Sequence, residues 1–151
     1  MTHIVVDIGG TNTRVAQTNG PRIEGDTIRR YRNADHAGVE PILADYLDAT
    51  GARPQAICLD MAGPVQGGVG TLTNLDWIID SGRIAQATGA DRVAVLNDMQ
   101  AMGHSLAHLR RESIQQIVPG PEAPHDGTRL VVNVGTGLNA APVYRFHGHT
   151  H

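Results

Sequence analysis

Two rhythms of apolar and polar positions run along this chain, and the switches between them mark its elements. Ile4-Val5-Val6 is a continuous apolar run, the pattern of a strand covered on both faces in a mainly parallel sheet. Arg14 to Gln17 and Thr27 to Arg32 predict two further strands, separated by the turn residues Asn19-Gly20-Pro21. Val39, Ile42, Leu43, Tyr46 and Leu47 then recur at helical spacing, with Pro41 in the first turn and Gly51 at the end. Gln55 to Met61 reads as a buried strand, and Ser81 to Thr88 as a short helix begun by Asp80 or Ser81 and stopped by Gly89. Arg92 to Asn97 is the next strand. A helix starting at Asp98 follows, placing Met99, Met102, Leu106 and Leu109 on one face. The order β-β-β-α-β-α-β-α predicts an α/β fold: three antiparallel strands, then strand–helix crossovers that extend the sheet in parallel. Pro119 to Gly127 reads as a linker or exposed loop, and Leu130 to Val134 as strand again.

The first strand ends in chemistry. Asp7-Ile8-Gly9-Gly10-Thr11-Asn12 follows its apolar run. The glycine pair permits positive φ and a tight hairpin. Without Cβ atoms, the turn amides can approach and surround an anion. Asp7, at the strand end, is suited to holding a metal ion directly or through water. A site for nucleotide phosphates is one reading; an ordinary Gly-Gly hairpin with Asp7 satisfying turn amides is the other. Asn133-Val134-Gly135-Thr136-Gly137 looks like a second copy of the motif, with glycine and threonine interchanged. Two such hairpins facing each other would hold a nucleotide from both sides, although short glycine-rich patterns also match by chance.

Val95-Leu96-Asn97-Asp98 closes a buried strand and opens a helix. Ligands of open α/β sheets bind beyond the carboxyl ends of strands, where Asn97 and Asp98 fall. Asp98 can accept a proton from a substrate hydroxyl, and Asn97 can orient neighbouring hydroxyls. Asn and Asp are also ordinary helix caps. A helix start favours the ionised carboxylate, so a useful base there needs burial or a nearby anion. Ala62-Gly63-Pro64-Val65 turns the chain, and Gly67-Gly68 with Thr71-Leu72-Thr73 suggests a small hairpin. Trp77, the only tryptophan, follows Asn74 and Asp76 and is read as a loop anchor.

Composition narrows the chemistry. The chain has 151 residues, 40% of them apolar, and a net charge of −3. These values fit one domain with a real core and give no attraction to nucleic acid. No run is long enough to cross a bilayer, and no leader precedes the first strand. All twelve basic residues are Arg, so a Walker-type loop, which requires lysine, is excluded. Phosphate binding must rest on backbone amides, a metal and Arg. The single cysteine, Cys58, precludes an internal disulfide and is expected to be a buried small hydrophobe in a cytoplasmic protein. His147, His149 and His151 alternate at the end of the chain, and no metal is assigned to them.

Five segments, in order and approximate spacing, resemble the bacterial glucokinases: Asp7 to Arg14, Ala62 to Val65, Thr73 to Trp77, Leu96 to Asp98, and Gly135-Thr136-Gly137-Leu138. The resemblance implies a ribonuclease H-like, actin-like ATPase domain. That domain has a mixed five-stranded sheet with helices on both faces, followed by the first hairpin of a truncated second domain. It implies residues 1–118 as the N-terminal domain, 119–128 as linker and 129–151 as the start of the second. It implies ATP-dependent phosphorylation of glucose at its 6-hydroxyl. Asp98 is then the base, and Asn97, Asn74, Gly63 and Pro64 bind the sugar. Asp7, Ile8, Gly9, Gly10, Thr11 and Asn12, with Gly135, Thr136 and Gly137, take the ATP phosphates. Asp7 holds Mg²⁺, through water. Partners are limited to glucose and ATP, without nucleic acid or membrane, and a homodimer stays open.

The chain departs from the family pattern at Asn139, Val134 and Met99, and at Asp60, a charge in a strand that is normally apolar there. The sugar-site segments of the second lobe are absent, so the chain reads as the N-terminal part of a glucokinase, inactive or nearly so by itself. Two alternatives remain: a kinase for another hexose or an amino sugar, and a non-catalytic sugar sensor. The sensor is disfavoured because the first strand starts at His3, leaving no room for a preceding DNA-binding segment.

Overall fold

The computed structural model describes residues 2–72, 75–121, 124, 127–134, 138–146 and 149–150. The chain forms two compact units, Met1–Asp98 and Met99–His151.

In the first unit, β1 (Thr2–Ile8) and β2 (Asn12–Asn19) form an antiparallel hairpin. Two short strands, β3 (Arg22–Ile23) and β4 (Arg29–Arg32), both pair with β2. Helix α1 (Val39–Thr50) leads into β5 (Pro54–Met61), parallel to β1. A small antiparallel ribbon follows: β6 (Val65–Gln66), β7 (Val69–Thr71) and β8 (Ile78–Asp80). Helix α2 (Ser81–Thr88) returns the chain to β9 (Arg92–Asn97), parallel to β5. The main sheet runs β3-β2-β1-β5-β9, with β4 beside β2. It has six strands where five were expected. The predicted third strand, Thr27 to Arg32, shortens to Arg29–Arg32 because the preceding residues form a 3₁₀ turn, and β3 was not anticipated.

Alternation sorts the side chains of the sheet. Ile4, Val6, Ile8, Ile57, Leu59, Met61 and Val95 fill the core, together with Val39, Ile42, Leu43 and Tyr46 of α1 and Ile84 of α2. Burying each of the large aliphatic side chains among these contributes about 1.5–3 kcal/mol. Both helices of this unit thus serve one face. The opposite face shows half-exposed His3, Val5, Ala56 and Cys58. The continuous run Ile4-Val5-Val6 suggested cover on both faces of β1; within this unit Val5 is half-exposed. Cys58 is half-buried, not fully enclosed, and burial together with nearby Asp60 raises its thiol pKa.

Local rules explain the element ends. Gly51 and Gly89 close α1 and α2 in the left-handed conformation, at φ 66° and 71°. Asp80 caps α2, its Oδ1 accepting from the amides of Gly82 and Arg83 at 2.8 and 3.1 Å. Gly67 and Gly68 both take positive φ and join β6 to β7 by a two-residue turn. Trp77 is buried in the core cluster, an anchor as expected. Arg83 Nη2 lies 3.0 Å from Glu40 Oε1, tying α2 to α1 by an ion pair not aligned as a hydrogen bond.

Helix α3 (Asp98–Ser105) starts on the last residue of the first unit and continues into the second, where β10 (Arg129–Val134) and β11 (Leu138–Val143) pair antiparallel. Met99, Val131 and Val143 form its small core, flanked by Leu106 and Ala141. The predicted apolar helix face is only partly used, since Met102 and Leu109 are exposed and α3 stops before Leu106. Two further two-residue strands, β12 (Arg145–Phe146) and β13 (His149–Thr150), pair with each other. His147 and His151 lie outside the described residues. Among the described residues, no helix is long and apolar enough to cross a membrane.

Candidate functional site

The carboxyl ends of β1, β5 and β9 lie side by side, because these three parallel strands are adjacent in the sheet. Register carries Ile8 to Met61 and Met61 to Asn97, and on the other face Asp7 to Asp60 and Asp60 to Leu96. Asp98 follows Asn97 at the start of the next helix, and its charge acts on Asp60. Three carboxylates, Asp7, Asp60 and Asp98, thus gather at one end of the sheet. Their proximity is felt electrically: burial first, then the charges of Asp7 and Asp98, push the Asp60 pKa up to about 6. Sequence reading noted Asp60 as a departure but gave it no place in the site.

Asn97 is half-buried at the end of β9, and its Nδ2 donates to the Gly63 carbonyl at 2.9 Å. Two predicted sugar-binding positions are therefore in direct contact. Gly63 occupies the turn after β5, where a Cβ would collide with the Thr71 carbonyl oxygen. Pro64 beside it is exposed, and its carbonyl accepts from the Thr71 amide at 3.4 Å. Asn74 lies outside the described residues.

The β1–β2 turn is closed by the Gly9 amide donating to the Asn12 carbonyl at 3.0 Å. Gly9 does not adopt the positive φ expected of it. A Cβ there would press on the Asn12 carbonyl at 3.2 Å, so close approach is what requires glycine. The Ile8 side chain is 1% exposed in the core, leaving only its main chain to face a ligand. Gly10 and Thr11 are exposed and Asn12 is half-buried. Asp7, 51% exposed, receives Arg14 Nη1 at 3.1 Å, a contact of modest strength at such exposure.

Sequence reading missed Asn33. It sits in the 3₁₀ turn after β4 and is 2% exposed. Its Nδ2 donates to the Gly9 carbonyl at 2.8 Å, its Oδ1 accepts from Thr13 Oγ1 at 2.8 Å, and its amide donates to the Thr11 carbonyl at 2.9 Å. No local pattern marks this residue; a polar side chain buried beside a turn is visible only after folding.

The donor set suits a hard cation. Asp7 offers carboxylate oxygen at the strand end, with Asp60 and Asp98 adding negative charge nearby. Among the described residues, no three His, Cys, Asp or Glu side chains are arranged to enclose a metal. The second glycine turn, Gly135, Thr136 and Gly137, lies outside the described residues. Its flanking strands are seen: β10 and β11 pair from Val134 opposite Leu138, as β1 and β2 do from Ile8 opposite Thr13.

The chain is similar to known proteins along nearly its whole length. A glucokinase of Brucella abortus biovar 1 is 35% identical over 143 residues, covering 94% of this chain and 41% of its own length. The crystal structure of a glucokinase from an Antarctic psychrotroph superposes with a TM-score of 0.85 at 28% identity, covering 99% of this chain and 48% of that one. A ROK family glucokinase from Streptomyces griseus, solved with glucose and AMPPNP, superposes at 0.62 with 22% identity, over 100% of this chain and 46% of that one. The last is a likeness of fold alone. The mixed sheet is that of the actin-like ATPase sugar kinases. The chain spans less than half the length of these relatives. The family model named Glucokinase matches residues 4–151, from the first strand through the second hairpin, and this chain belongs to the glucokinase family.

Proposed function

We propose that this chain is the N-terminal part of a glucokinase that transfers the γ-phosphoryl group of ATP to the 6-hydroxyl of glucose. The gathering of Asp98, Asn97 and Gly63 with the Asp7–Asn12 turn at one end of three adjacent parallel strands supports this reading most directly. Residues 1–118 are then the N-terminal domain, 119–128 the linker and 129–151 the start of a second domain. The composition of Pro119 to Gly127 and the start of β10 at Arg129 favour that division.

Phosphoryl transfer depends chiefly on positioning and charge stabilisation. Asp98 accepts the sugar hydroxyl proton as the bond to phosphorus forms. Asn97, held by the Gly63 carbonyl, orients the sugar, and Pro64 and Asn74 are assigned to bind the same sugar. The Asp7–Asn12 turn, through amides other than that of Gly9, and the Gly135-Thr136-Gly137 turn receive the phosphates. Asp7 would hold Mg²⁺, and the cation would supply neutralising charge. Water must be excluded or ATP is hydrolysed instead, which calls for a second lobe closing over the substrates.

Glucose 6-phosphate production by the complete kinase chain, by this segment and by Asp98→Asn in the complete chain tests the proposal. The complete chain is expected to be active and this segment inactive. Asp98→Asn is expected to lose roughly 10²–10⁴ in kcat with the glucose KM little changed. Full activity in Asp98→Asn would refute the assignment of the base. A panel of hexoses and amino sugars in the same assay decides the sugar.

A further inference from the structure

The β1–β2 turn is held from outside itself. Asn33 takes two of its carbonyls, Gly9 through Nδ2 and Thr11 through the main-chain amide, at 2.8 and 2.9 Å. In a trans peptide the C=O and the following N–H point in opposite directions, and no described peptide bond is cis. Capturing those two carbonyls on the Asn33 side therefore turns the amides of Gly10 and Asn12 toward the other side. The carboxamide is itself fixed, because Oδ1 accepts from Thr13 Oγ1 and both residues are buried, at 2% and 0% exposure. A buried amide with both ends satisfied has one orientation.

We infer that Asn33 is a positioning residue that presets the Gly9–Asn12 turn, so that its Gly10 and Asn12 amides face an incoming triphosphate. This rests on the reading of the turn as the ATP-phosphate site. Asn33 touches no substrate; it acts through the main chain of the turn. A flexible glycine-containing loop loses conformational freedom on binding an anion, and a prepaid orientation removes that cost. Thr13 belongs to the same device, holding the Asn33 side chain from the turn end of the hairpin.

The test uses the complete kinase chain with two neutral variants of similar size, Asn33→Leu and Thr13→Val, and the rescue variant Thr13→Ser. Isothermal titration with inorganic tripolyphosphate and with Mg-ATP is read beside turnover with glucose. Both neutral variants are expected to lose roughly five- to tenfold in triphosphate affinity, with the glucose KM within about twofold. Thr13→Ser is expected to retain affinity. Unchanged triphosphate affinity in both variants, folded and beside an active parent, overturns the inference while leaving the glucokinase reading intact. Lower melting temperature with unchanged affinity overturns it equally. Lost triphosphate affinity in variants of a parent that binds triphosphate but phosphorylates no sugar supports the inference and sinks the glucokinase reading. A parent that binds no triphosphate overturns both.

Discussion

Asp7 and Asp60 are register partners on adjacent parallel strands, so their carboxylates project from the same face at the same level of the sheet. Burial and this neighbour, with Asp98, raise the Asp60 pKa to about 6 in the folded protein, against about 3.9 when unfolded. The folded state therefore binds the Asp60 proton more tightly than the unfolded state. Its favourable contribution is complete below about pH 4 and disappears as pH rises through about 6.

Asp60→Asn keeps the shape and removes that titration. Without added Mg²⁺, the variant is expected to be more stable than the parent at pH 7.5, by roughly 1–2 kcal/mol after allowing for solvent screening of a partly exposed group. The advantage is expected to fade toward pH 4. Urea unfolding at several pH values measures it, and an equal difference at pH 4 and pH 7.5 contradicts the assignment to Asp60.

The Asn97–Gly63 bond predicts an ordered pair of substitutions. Asn97→Ala removes the donor and is expected to cost about 1 kcal/mol of stability. Asn97→Asp also removes the donor and sets a carboxylate against the Gly63 carbonyl oxygen, 2.9 Å from the present nitrogen. The aspartate is expected to be the less stable of the two above pH 6. Chemical denaturation decides, and an aspartate variant as stable as the parent would mean the bond contributes nothing.

Gly63→Ala tests close packing behind the site. The new methyl would meet the Thr71 carbonyl and press on Met61. Backbone cannot yield as a flexible side chain can, so a loss of about 1–3 kcal/mol is expected. Gly20→Ala is the control: nothing lies near its Cβ, and only the cost of its φ of 58° remains. A smaller loss at Gly63 than at Gly20 would contradict the packing account.

Tyr46 joins α1 to the segment before β4, its hydroxyl donating to the Thr27 carbonyl at 2.9 Å. Tyr46→Phe keeps the buried ring and removes this bond. It is expected to cost about 1 kcal/mol, seen as a lower urea midpoint with an unchanged m-value.

Elements carried by periodicity and punctuation were legible in the sequence. The α1 residues Val39, Ile42, Leu43 and Tyr46 are all buried, and Asp80, Gly51 and Gly89 stand at helix ends as their chemistry dictates. Strands β3 and β8 escaped because two or three residues carry no period. Cys58 was expected to be fully enclosed and is half-buried, because an apolar run does not tell a covered flank from a half-exposed one. Within the site, strand ends and glycine turns were readable because each is a local pattern. Asp60 and Asn33 were not, since their roles come from strand register and from a contact across 24 positions of sequence.

That long-range contact limits what the eight-residue signature around the first glycines can do elsewhere. Residues Asp7 to Arg14 include the hairpin's glycines and Thr13, but the carboxamide that disciplines the bend arrives from beyond a separate edge strand. A transplant of the signature into a foreign scaffold would carry the letters without the clamp. Portability would require bringing Asn33, and the strand that delivers it, along with the graft.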